Sequence, residues 1–200
     1  MLETFKNAWR IEDLRKKILY TLIMLLIYRI GTSFIPIAGM DVAAIKQTVE
    51  GSDILGFLNM ITGGSLAGFT IFAVGISPYI TSSIVMQLLT FAIPALERMS
   101  KEGGEEGREK IKRITRYVGV LLALIMSIGM VMSLRSYMIT TDLLSKITMI
   151  LTLTAGACIV MWMGEKITEK GIGNGVSLII FVGIVARLPV TVWSFLQNIF

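Results

Sequence analysis

The stretch "GFLNMITGG", residues 56–64, decides how the chain folds. It is apolar enough to avoid water. At ~1.5 Å of rise per residue, though, it is far too short to cross a hydrocarbon core of ~30 Å. On both sides the chain enters apolar runs that are long enough. A short apolar helix between two spans either lies in the interface or turns back into protein.

Composition sets the class around it. Of the residues, 54% are hydrophobic, 13 are Met and the mean hydropathy is +0.74, which defines an all-α integral membrane protein. The single cysteine, Cys158, lies inside an apolar run, so no disulfide framework is expected and a small core residue is the plain reading. The absence of histidine removes the commonest general base, proton shuttle and metal ligand, and no cofactor or metal site is expected.

Uninterrupted apolar runs predict five spans, at 18–37, 69–96, 117–134, 147–163 and 176–196. A signal peptide is an alternative for the first, but its run continues through Phe34 and Ile35 without a small-residue cleavage site. Lys6, Arg10, Arg15, Lys16 and Lys17 precede the first span. Arg98, Lys101, Arg108, Lys110, Lys112, Arg113 and Arg116 fill the connection at 97–116, and Lys166 and Lys170 that at 164–175. Only Lys46, Arg135 and Lys146 fall on the other side, in the segments 38–68 and 135–146, while Arg29 and Arg187 lie within spans. The positive-inside rule then predicts a cytoplasmic N-terminus and an outer location for the short helix. The basic surplus reflects topology and anionic lipid, not nucleic acid. The segment 97–116 reads as a solvated connector or as a contact for a cytosolic partner. At 1–17, Leu2, Phe5 and Trp9 recur at helical spacing among basic residues, which predicts an interfacial helix on the lipid bilayer.

All carboxylates are expected outside the apolar cores, whereas ion-coupled carriers and intramembrane acid enzymes keep acids at depth. Ser77, Ser82 and Ser83 have no base in their span, so packing or cavity lining is their expected role. The second span contains "GISPYITSSIVMQ", whose polar groups would be costly against lipid. Helical steps place Ile76, Ile80, Ser83 and Gln87 on one stripe, half aliphatic and half hydrogen-bonding. In the fifth span Val176, Ile180, Gly183 and Arg187 share a face. Ordinary helix packing accounts for such faces, and so does a narrow hydrophobic constriction closed by two helices.

"IPIAGMD", "ILGFLNMITGGSLAGFTIFAVGISPYITSSIVMQLLT", "KEGGEEGREKIKRITRY" and "WMGEKITEKGIGNGVSLIIFVGIV" together resemble the SecY family, the central subunits of the bacterial protein-conducting channel. The match runs in order over nearly the whole chain and corresponds to the N-terminal half of that family, its first five spans. The resemblance implies half of an inverted-repeat channel in the bacterial cytoplasmic membrane. It would move unfolded secretory proteins across the membrane and membrane proteins into it, without enzymatic chemistry.

The resemblance also assigns sites. Leu55, Gly56, Phe57, Leu58, Asn59, Met60, Ile61 and Thr62 match the plug, a short helix at about 54–62 that folds back from the outer side and blocks the pore. Ser52 or Asp53 is expected to cap its start, and Gly63 and Gly64 to release the chain; an outer interfacial helix is the rival reading. Ile76, Ile80, Val176 and Ile180 match this half's share of the pore ring. Ser83 and Gln87 fall on the helix bordering the lateral gate. The implied partners are SecE and SecG, a SecA motor or a ribosome, signal sequences and nascent chains, and a C-terminal half. An inverted second copy, forming an antiparallel homodimer, is the expected substitute when the half stands alone. Departures from the family pattern are Ala38 in "IPIAG" and Arg187, where a small or neutral residue is expected. A membrane scaffold that binds other spans and a small-solute carrier remain as alternatives.

Overall fold

The computed structural model describes residues 11–101, 103–140 and 142–186, and among these every regular element is helical. The order is α1 (Glu12–Phe34), α2 (Val42–Glu50), α3 (Asp53–Ile61), α4 (Ser77–Ala92), α5 (Pro94–Lys101), α6 (Gly104–Ser133), a 3-10 turn at Arg135–Tyr137, α7 (Leu143–Lys170) and α8 (Gly175–Val185). Helices α1, α6 and α7, of 23, 30 and 28 residues, are long and apolar enough to cross a membrane. Helices α4 and α5 qualify together, with a bend of 100° between them. That gives three spans among the described residues, or four with the bent pair, where five were expected. Helix α8 has 11 residues, and the expected fifth span continues into 187–196, outside the described residues.

Prolines and short polar caps set several boundaries. Pro36 disfavours helical backbone at Ile35, where α1 stops with ψ 74°. Pro78 sits in the first turn of α4, where its missing N–H costs nothing, and Pro94 ends that helix by holding Ile93 at ψ 112°. The Asp41 carboxylate accepts from the Ala43 and Ala44 amides to start α2, and Asn174 Oδ1 accepts from Val176 and Ser177 to start α8.

Three expected boundaries are corrected. Residues 12–17 belong to α1 rather than to a separate interfacial helix; Leu2, Phe5 and Trp9 lie outside the described residues. The expected connections at 97–116 and 164–175 are largely helical, because runs such as "GREKIKRITR" are strong helix formers and a helix need not stop where hydrocarbon does. The expected second span at 69–96 becomes helical only at Ser77.

From Thr62 to Ile76 the chain is a series of turns threaded through the helices, and Ser65, Leu66, Ala67, Phe69, Thr70 and Phe72 are buried. Non-helical backbone at membrane depth is tolerated only inside protein and only when its polar groups are satisfied. Local bonds do much of this: Gly68 donates to Gly64 at 3.2 Å, Thr70 to Ser65 at 3.0 Å and Gly75 to Phe72 at 2.9 Å. Next to α1, Ile37 donates to Phe69 and Ile71 to Ile35. The helices make room with glycine. A Cβ on Gly156 of α7 would lie 1.8 Å from the Ile71 oxygen, and one on Gly31 of α1 would lie 2.1 Å from the Phe72 ring. That ring stacks on Tyr28 at 5.9 Å between centroids.

Two apolar clusters result. One, at the end of the bundle holding α2 and α3, gathers Ile37, Ile45, Val49, Phe69, Val131 and Leu153. The other lies toward the basic end and gathers Tyr28, Phe72, Ile76, Val160, Met163, Ile167 and Ile179.

Candidate functional site

The second cluster brings together the four aliphatic residues that the sequence separates by a hundred positions. Ile76, at the cap of α4, is buried; Ile80, Val176 and Ile180 pack against the same cluster and are half-buried. Glycine on α7 sets their spacing, since a Cβ on Gly164 would lie 3.3 Å from Ile76 Cδ1 and 3.5 Å from Val176 Cγ2. The four make an aliphatic ledge fed by two helices. Its surface is soft and non-directional, so it offers contact without demanding a hydrogen-bond partner.

Helix α3 covers the expected plug residues, shifted by one: Leu55 to Ile61 are helical and Thr62 is the cap. Asp53 lies in the first turn, but the Ser52 side chain makes no capping bond. Gly63 and Gly64 turn the chain back with φ of 67° and 96°, a conformation that disfavours any other residue. Asn59 is buried, and its Oδ1 accepts from the Ala67 amide at 2.9 Å, tying the helix to the threaded segment. Gly64 donates to the Asn59 carbonyl at 2.8 Å, and the Ser65 hydroxyl donates to Thr62. The other face of α3 is open, with Ile54, Phe57 and Leu58 exposed by 75%, 64% and 44%.

On α4, Gln87 Nε2 donates to Ser83 Oγ at 3.3 Å. Both border a cleft of about 410 Å³ with Phe91, Ile111, Arg108 and Lys112. Ser82, by contrast, is fully buried in helix packing: its hydroxyl donates to the Tyr79 carbonyl, and Gly119 of α6 makes room for it. Arg187 lies outside the described residues.

Two side-chain relationships had no clear signal in the sequence. Glu165 was expected in a connection outside the apolar cores, but it is buried in the last turns of α7. Arg116 of α6 grips it with two nitrogens, Nε at 3.3 Å from Oε1 and Nη2 on Oε2. Arg29, inside α1, donates from Nη1 to the Gly63 carbonyl at 2.8 Å. In the sequence each was only a charge in or beside an apolar run.

Buried turns threaded between spanning helices, with a short helix at one end and an aliphatic ledge below, match part of the fold of a solved protein-conducting channel. The solved "structure of a protein conducting channel" superposes with a TM-score of 0.69 at 21% identity, covering 93% of this chain and 41% of that one. Sec61 in the canine ribosome–channel complex from the endoplasmic reticulum gives the same TM-score of 0.69 at 22% identity. The SecY family model matches residues 70–200. The protein translocase subunit SecY of Streptomyces scabiei is 45% identical, over 97% of this chain and 48% of its own length. That of Guillardia theta is 46% identical, over 94% and 44%. The chain belongs to the SecY family and spans about half the length of the curated relatives it matches.

Proposed function

We propose that this chain forms half of a protein-conducting channel that passes unfolded secretory proteins across the bacterial cytoplasmic membrane and releases membrane proteins into it. The observation that carries this reading is the meeting of Ile76, Ile80, Val176 and Ile180 in one cluster, with the last three half-buried. Opposed by a similar set, such a ledge closes an aliphatic waist that excludes ions by dewetting yet yields around a passing chain. Helix α3 is the plug above it. Ser83 and Gln87 face the lateral gate, through which signal sequences and membrane spans leave. No covalent step is needed, so the function is not enzymatic. A motor such as SecA, or a ribosome, supplies the drive, and SecE, SecG and a C-terminal half complete the channel.

Conductance of a channel reassembled in planar bilayers with a SecY C-terminal half tests this. Ile80→Asp should hold water at the constriction and raise resting ion leak several-fold. Native leak for Asp at both Ile80 and Val176 would remove the waist assignment.

A second reading concerns the isolated half. Ile54, Phe57 and Leu58 of α3 and Gln87 of α4 are exposed, and a half-channel of an inverted repeat presents such a seam to an upside-down relative. In detergent a second inverted copy fills that place as an antiparallel homodimer. In cells the positive-inside bias inserts every copy the same way round, with the N-terminus cytoplasmic.

A further inference from the structure

Helix α3 is held weakly along its length. Only Asn59 of its nine residues is buried, and Ile54, Phe57 and Leu58 lie open. Along its length it is held by Leu55 against the first cluster and by the Asn59–Ala67 bond, and its exit end is gripped from two sides. On one side, a Cβ on Gly63 would lie 3.1 Å from the Gly183 Cα of α8, and one on Gly183 would lie 2.8 Å from the Ile61 oxygen. This contact is steric and has no bond to break. On the other side, the Arg29 guanidinium of α1 donates to the Gly63 carbonyl across 34 residues of chain.

We propose that Arg29 is a positioning residue, the latch that holds α3 docked through the Gly63 carbonyl. Arginine suits a latch because its charge strengthens the bond and its fork keeps further N–H groups free. Those groups open onto a cavity of about 480 Å³ that Thr32, Lys46, Glu50 and Gly64 also line. Water in this cavity can take the place of the carbonyl, so the bond opens without stranding a buried charge. An apolar side chain at this position would leave the exit end of α3 held by the glycine contact and the Asn59–Ala67 bond, with no tie to α1. An arginine that merely reached for the interface would leave the Gly63 carbonyl unpaired. The effect on conduction rests on reading α3 as the plug; the effect on its position does not.

The test is a pair of nitroxide labels at Phe57→Cys on α3 and Leu144→Cys on α7, both exposed, in a Cys158→Ala background of this chain in lipid nanodiscs. Pulsed dipolar spectroscopy reads the distance. With Arg29 present, one narrow distribution is expected. Arg29→Gln should add a displaced population and raise the displaced-to-docked ratio about tenfold or more, the scale of one charge-assisted hydrogen bond. Arg29→Met gives the same reading with no polar group to bury, should the Gln variant fail to assemble. Arg29→Lys, which keeps charge and a donor, should restore part of the docked population. A single docked distribution in the assembled Gln or Met variant overturns the latch, even if thermal stability falls, because Arg29 is then only a packing residue. Displaced labels with unchanged leak in the reassembled channel would uphold the latch and sink the plug reading.

Discussion

Gly175 at the start of α8 lies so close to Gly164 of α7 that a Cβ on it would come 2.1 Å from the Gly164 carbonyl oxygen. The Gly175 amide also donates to Thr168 Oγ1 at 2.9 Å. This contact seats Val176 beside Ile76 on the Gly164 surface, so two glycines assemble the ledge that no single helix could present.

Gly175→Ala should therefore push α8 outward. The nearest atom is a backbone oxygen, which cannot swing aside, and overpacking of this kind costs ~1–3 kcal/mol. A thermal melt of the purified chain in detergent should show a lower midpoint than native. Gly173→Ala, with nothing within 4 Å but φ of +71°, serves as a control for backbone strain without crowding.

Arg116→Ala should destabilise by about 2 kcal/mol or more, because it leaves the buried Glu165 carboxylate unpaired. The guanidinium is half-exposed, at 50%, which keeps the loss below that of a fully buried pair. Arg116→Met with Glu165→Leu should recover most of it, since two apolar groups leave no stranded charge. Denaturant midpoints of the three variants check this; a double variant as weak as Arg116→Ala would refute it.

Asn59→Ala should remove the acceptor of the Ala67 amide and cost about 1–3 kcal/mol, the penalty for an unsatisfied buried donor. Hydrogen exchange at Ala67 should quicken more than exchange in α6. For the same reason, deleting 55–62 should loosen the threaded segment as well as remove most of α3.

Disulfide cross-linking of Gln87→Cys copies, with Cys158 replaced, should trap a dimer after solubilisation and little or none in native membranes. Accessibility of a tag at each terminus in cells should give one orientation for every copy. A monomer in detergent under all conditions removes the antiparallel pairing.

Periodicity and charge suffice for the membrane class and for the apolar stretches inside α1, α6 and α7, because these depend on local composition; α3 is legible as a short apolar helix, and its turning back into protein was implied by the family resemblance. Pro36, Pro78 and Pro94 carry local helix-end signals, although the expected spans 18–37 and 69–96 ran through all three. The sequence likewise marked Ile76, Ile80, Val176 and Ile180 as helix-face aliphatics, and family resemblance made them one set.

What the sequence by itself did not determine is the path from Thr62 to Ile76. Its apolar residues read as the start of a span, since burial against lipid and burial against protein leave the same composition. Only the tertiary structure decides between them, through Gly31 and Gly156, which let turns rather than a helix lie against α1 and α7. The same holds for Arg29 and Glu165. A charge at the edge of an apolar run is equally consistent with solvent and with a buried partner, and the partners, Gly63 and Arg116, lie 34 and 49 residues away. Distances of that kind are set by how helices pack, and no local pattern in the chain encodes them.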